Sequence, residues 1–106
     1  MKLKDRLILK ANNYNIRELV KDNTNEDLNY IDTTNVTDMN HLFTDSNFNG
    51  DISFWNTSNV VNMYCMFNKS HFNGDISRWD VSMLINMGSM FEKSHFNGDI
   101  SDWDVS

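Results

Sequence analysis

Proline is missing from this chain of 106 residues, and cysteine occurs once. Without proline no backbone donor is lost and no φ is locked, so stiff polyproline spacers are excluded. The single Cys65 cannot close an internal disulfide, and a Cys-x-x-Cys pattern is absent, which removes disulfide frameworks and cysteine zinc sites. It reads as a small buried hydrophobe. Glycine is scarce too, with four residues, and Gly50, Gly74 and Gly98 each stand alone, so no phosphate-cradling loop is present. No apolar run is long enough to span a bilayer. The start MKLKDRLILK has a positive flank, but only Leu7, Ile8 and Leu9 follow it, too short for a secretory signal. The chain as written is expected to stay in the cytoplasm, and to reach a cell surface only as an excerpt of a longer protein.

What the chain does contain is acid, asparagine and aromatic rings. Its net charge is −6, unevenly spread. Residues 1–30 carry six Lys/Arg against five acids, whereas 31–106 carry Lys69, Arg78 and Lys93 against ten acids. Such a surface repels nucleic acid and anionic lipid and steers basic partners, or simply serves solubility. Seventeen asparagines suit turns, caps and the left-handed region better than helix or strand interiors. With 40% hydrophobic and 12% aromatic residues the chain is expected to fold as one structural domain.

The rings recur on a fixed period. FNGDIS-x-W occurs at 48–55, 72–79 and 96–103, and the unit 48–71 matches 72–95 at 15 of 24 positions without a gap. A period of that length means stacked supersecondary units. Residues 24–47 form a degenerate first repeat, 48–71 and 72–95 are full repeats, and 96–106 is a half repeat. Residues 1–23 read as an N-terminal cap, with a short helix over about 15–22 marked by the capping-box spacing Asn15/Glu18 and the face Ile16, Leu19, Val20. Inside a repeat, Asn73-Gly74-Asp75 reads as a turn with glycine at positive φ. Trp79 and Val81 alternate as in a strand, Ser82 stands at an N-cap position, and Leu84, Met87, Met90 and Phe91 lie on one face of a two-turn helix. The expected fold is therefore an α/β repeat solenoid of strand–turn–helix units, with Phe48, Phe72 and Phe96, and Trp55, Trp79 and Trp103, as its structural ladders. The unfinished end leaves Ile100, Trp103 and Val105 with a neighbour on one side, so it is expected to fray, to self-associate or to meet a partner.

The fixed positions of the unit, from Phe72, Gly74, Asp75, Ile76 and Trp79 to Met87, Met90 and Phe91, resemble the repeat of the BspA-like leucine-rich-repeat proteins, a bacterial surface-type family. The resemblance covers residues 27–106. It implies a short right-handed leucine-rich-repeat-like stack and a binding activity directed at proteins. Neither the export signal nor the anchoring region of surface members is visible here.

Periodic residues do not make a catalytic site, which needs different groups converging. The columns Asp51/Asp75/Asp99 and Asn56/Asp80/Asp104 fit either a Ca²⁺ ladder or, as the preferred reading, carboxylates accepting N–H bonds in their own turns. His71 and His95 share a column with Asn47, and His41 shares one with Cys65, but no third ligand is periodic with them. Asn35, Asn56 and Asn68 match N-x-[ST] as often as an asparagine-rich chain does by chance. Met63, Met66, Met87 and Met90 belong to the core face. We therefore expect no catalytic residue, metal or cofactor. The variable column Tyr30, Phe54, Arg78 and Asp102 lies between fixed neighbours and combines aromatic rings with arginine, the composition of binding hot spots. It is the candidate partner-binding site. Two functions fit: a non-enzymatic protein-binding module, and a small acidic intracellular inhibitor, of the anti-CRISPR or anti-restriction type, that blocks the basic nucleic-acid-binding groove of a nuclease. Neither involves direct nucleic-acid binding or membrane insertion.

Overall fold

A computed structural model describes residues 9–104; Leu7, Ile8 and Val105 lie outside them. Strand β1 (Leu9–Lys10) pairs in parallel with β2 (Ile31–Asp32), in the register Leu9↔Ile31 and Lys10↔Asp32. Between them lies helix α1 (Ile16–Val20), which buries Ile16 and Val20 against the first repeat. It is shorter than the 15–22 expected, because Lys21 is already extended (φ −68°, ψ 153°) and Asp22 follows in the left-handed region at φ 65°. The capping box does not form. Asn15 is itself near-helical (φ −99°, ψ −13°), its Oδ1 accepts the Asn12 N–H at 2.7 Å, and Glu18 pairs with Lys21 at 3.1 Å.

The α/β solenoid of strand–turn–helix units is not what forms. Among the described residues, α1 is the only α-helix and the two-residue β1 and β2 form the only sheet. The radius of gyration, 12.9 Å, is that of a compact domain of this length, with extents of 37 × 26 × 25 Å. The repeats are built from turns, joined by single parallel bridges at Asp27↔Asp51, Asp38↔Asn62 and Asn62↔Asn86. Trp79–Val81 is not a strand, and Ser82 caps nothing: its N–H donates to Asp80 Oδ1.

The expected helix at 84–91 and its counterparts fail for a visible reason. In 63–70, alternate N–H groups go to different places. Met66, Asn68 and Ser70 donate three residues back, while Met63, Cys65, Phe67 and Lys69 donate to the carbonyls of Asn86, Gly88, Met90 and Glu92 in the next repeat. Residues 39–46 repeat the pattern on Asn62, Tyr64, Met66 and Asn68. Half the donors are thus turned sideways, which an α-helix forbids. The chain achieves this by placing His41, Asp45, Cys65, Lys69, Ser89 and Lys93 at φ between 53° and 57°. For non-glycine residues each such position costs roughly 1–2 kcal/mol. Apolar residues at i, i+3 and i+4 still face inward in this ribbon, so the helical pattern is satisfied without a helix.

Glycine has a different role from the one expected as well, since no glycine has positive φ. At Gly50 a Cβ would lie 1.9 Å from the Glu26 carbonyl oxygen, so close approach of the preceding repeat excludes any side chain.

The core is a set of parallel rings. Phe48, Phe72 and Phe96 stack with centroids 6.1 and 6.3 Å apart; Trp55, Trp79 and Trp103 at 6.5 and 6.4 Å; Phe43, Phe67 and Phe91 at 5.6 and 5.8 Å. Each indole also donates backwards: Trp55 Nε1 to Leu28 O, Trp79 Nε1 to Ile52 O and Trp103 Nε1 to Ile76 O, at 2.9–3.0 Å. Met87, Phe91, Phe96, Ile100 and Trp103 are only partly buried, while their counterparts Met63, Phe67, Phe72, Ile76 and Trp79 are buried. Replacing Trp79 by alanine empties a site lined by rings on both sides and removes one of the two hydrogen bonds that the Ile52 carbonyl accepts, the other coming from the Trp55 N–H. The loss should be about 3–5 kcal/mol, a large share of the ~5–15 kcal/mol typical of a domain. A denaturant midpoint unchanged by Trp79→Ala would contradict the ring ladder.

Candidate partner-binding surface

One turn, used four times, displays the variable column. Trp55 N–H donates to Ile52 O, Trp79 to Ile76, Trp103 to Ile100 and Ile31 to Leu28, at 3.0–3.2 Å. Residues 30, 54, 78 and 102 therefore each occupy the second central position of an equivalent turn, which starts at an aliphatic residue (Leu28, Ile52, Ile76 or Ile100) and ends at the position of Ile31 and the three tryptophans. The turns are locked at their other end by an aspartate. Asp51 Oδ1 accepts both the N–H and the hydroxyl of Ser53 at 2.9 and 2.7 Å, and Asp75 does the same with Ser77. Asp99 accepts the Ser101 N–H at 2.8 Å.

The four candidate residues do not all come together. Phe54 is 68% exposed and Arg78 is exposed, and the guanidinium carbon lies 5.7 Å from the Phe54 ring centroid. That contact is worth about 0.5–1 kcal/mol at an exposed position, enough to hold both side chains out of many alternative rotamers. The Phe54 backbone is fixed from the other side, its N–H donating to Asn29 Oδ1 at 2.9 Å. Tyr30 is half-buried and packs against the core, which leaves it little free ring face. Asp102 is exposed and adds a charge of the opposite sign one turn beyond Arg78.

The acidic columns are occupied by their own turns. The Ser53 hydroxyl, then its N–H, holds the Asp51 carboxyl below its ordinary range, and Ser77, Ser82 and Ser101 do the same for Asp75, Asp80 and Asp99. His71 and His95 stack with centroids 4.6 Å apart and are exposed, while His41 meets Tyr64 edge-on at 5.5 Å. Among the described residues no three His, Cys, Asp or Glu side chains converge as a metal site would require. Cys65 is buried and free.

Two surface features escaped the sequence reading. A cleft of about 360 Å³ opens between α1 and the first repeat, lined by Arg17, Val20, Leu42, Phe43, Thr44 and Ser46 among others. It exists because α1 covers only part of the first ribbon; Arg17 reaches across to the Asn40 carbonyl and side chain at 2.6 and 2.9 Å. Ile85 is 84% exposed and Met83 53%, beside the half-buried Leu84. The cleft depends on how α1 sits against the first repeat, which no recurring residue marks.

The chain belongs to the family described as Mycoplasma protein of unknown function, DUF285, which matches residues 13–106. No curated protein and no solved structure matches it.

The depressed carboxylates give stability a definite sign with pH. Their unfolded pKa is about 3.9 and their folded values are lower, so their contribution is complete above that range and is lost as pH falls through the folded values. Chemical denaturation of the native chain should give flat stability from neutrality to mild acid and a decline below about pH 4. A variant carrying Asp51→Asn, Asp75→Asn and Asp99→Asn should decline less steeply. Identical acid limbs for the two proteins would contradict the assignment.

Proposed function

We propose that the protein is a non-enzymatic binding module that meets a protein partner at the surface centred on Phe54 and Arg78. The observation that supports this most is their paired exposure on turns otherwise made of fixed residues. A large exposed ring with an arginine over its face is a preorganised anchor of the kind that dominates binding energy. The resemblance of the repeat to BspA-like surface-type proteins points the same way, since in that family such units serve recognition. Asp102 on one flank and half-buried Tyr30 on the other would set orientation.

A second reading rests on a separate observation. Asp51, Asp75 and Asp99 form an exposed column held in the ionised state by serine hydrogen bonds. Such a column suits a basic target, including the nucleic-acid groove of a nuclease that a small acidic inhibitor would block. The two readings differ in salt dependence, because steering by exposed charge is screened within a Debye length and contact with a ring is not.

The experiment is a capture assay with the native chain, Phe54→Ala and Arg78→Ala, each run at low and high salt beside thermal melts. The ring-centred reading predicts that a captured protein is lost about 30-fold with Phe54→Ala, with little change in melting temperature and little effect of salt. Binding indifferent to both substitutions but abolished by salt would overturn that reading in favour of the acidic one.

A further inference from the structure

The hexapeptide Phe-Asn-Gly-Asp-Ile-Ser occurs three times, so Asn49-Gly50, Asn73-Gly74 and Asn97-Gly98 have identical neighbours for several residues on the C-terminal side. Asparagine followed by glycine is the dipeptide most open to intramolecular attack, because glycine leaves the backbone nitrogen unshielded. The three copies differ only in what the fold does to them.

Asn49 Oδ1 accepts the Asn73 N–H at 2.7 Å, and Asn73 Oδ1 accepts the Asn97 N–H at 2.7 Å. Asn97 Oδ1 accepts nothing among the described residues. The glycines follow the same gradient. Gly50 lies against the Glu26 carbonyl and Gly74 has the Gly50 carbonyl 3.2 Å from where a Cβ would be, but the three atoms nearest to that position at Gly98 all belong to the Phe96 ring of its own repeat. All three asparagines are exposed, but Gly50 and Gly74 are half-buried whereas Gly98 is exposed.

We propose that Asn97 is a site of spontaneous deamidation, and that the ladder of asparagine side chains protects Asn49 and Asn73 from the same reaction. The Gly98 backbone nitrogen, losing its proton to solvent base, attacks Asn97 Cγ. A new C–N bond closes a five-membered succinimide, and the side-chain nitrogen leaves as ammonia with a proton from water. One water then opens the ring at either carbonyl, giving aspartate or isoaspartate at position 97. One water is consumed, one ammonia is released and one negative charge is gained, with no change of oxidation state. At Asn49 and Asn73 the attack needs the side-chain carbonyl to leave its hydrogen bond and rotate towards the glycine nitrogen. The reaction there proceeds only through local opening of the contact between repeats. The isoaspartate product inserts an extra backbone atom ahead of the turn that presents Asp102, so the modification also reshapes that end of the candidate surface.

The test is peptide mapping by mass spectrometry of the full chain, incubated in mildly alkaline buffer at 37 °C, beside a sample unfolded in urea. In urea the three sites should gain about one mass unit at equal rates, since their local sequences are the same. In the folded protein Asn97 should convert about tenfold or more faster than Asn49 and Asn73, a factor that corresponds to about 1.4 kcal/mol of opening. Equal rates at all three sites in the folded chain, or protection of Asn97 to the level of the other two, would overturn the proposal.

Discussion

Contact between like residues 24 positions apart is the interaction on which everything else in this molecule depends. Phe72 meets Phe48 and Phe96, and Trp79 meets Trp55 and Trp103, with ring planes within 11° of parallel. Rings of one shape, stacked in one register, leave a single offset at which every indole N–H finds its carbonyl. Slipping the register by one residue would strand two buried indole donors and a half-buried third, and drive aspartates under the rings. The turns, the asparagine ladder and the close approach at Gly50 all follow from holding that offset.

This dependence explains why the backbone accepts conformations that are costly elsewhere. Six residues of the ribbons sit in the left-handed region, and four of them, His41, Asp45, Cys65 and Lys69, thereby send their N–H groups to the next repeat. An α-helix would satisfy the same donors within one segment but would leave the repeats joined by side chains alone. Here main chain and side chain bind the same neighbour. Among the described residues no buried side-chain nitrogen or oxygen is without a partner. The scarcity of glycine fits, since left-handed positions fall to His, Asp, Cys, Lys and Ser, and the glycines serve close packing instead.

The period, the inward columns and the turn role of the aspartates are legible in the sequence, because each depends on which residue recurs at which offset. Secondary structure is not. Leu84, Met87, Met90 and Phe91 lie at helical spacing, yet a ribbon of overlapping turns turns the same residues inward. Periodicity reports a buried face and not the hydrogen bonds behind it. The exposure of Phe54 and Arg78 is readable from their variation between fixed neighbours. The half-burial of Tyr30 and the cleft beside α1 depend on how the cap sits against the first repeat, which no recurring residue encodes.

Amide hydrogen exchange, read residue by residue by NMR, tests the sideways hydrogen bonding most directly. The account predicts strong protection at Met63, Cys65, Phe67 and Lys69, whose N–H groups reach the next repeat. It predicts fast exchange at the equivalent Met87, Ser89, Phe91 and Lys93, which have no acceptor among the described residues. Equal protection of the two sets, or the continuous protection of a helix through 84–91, would contradict it.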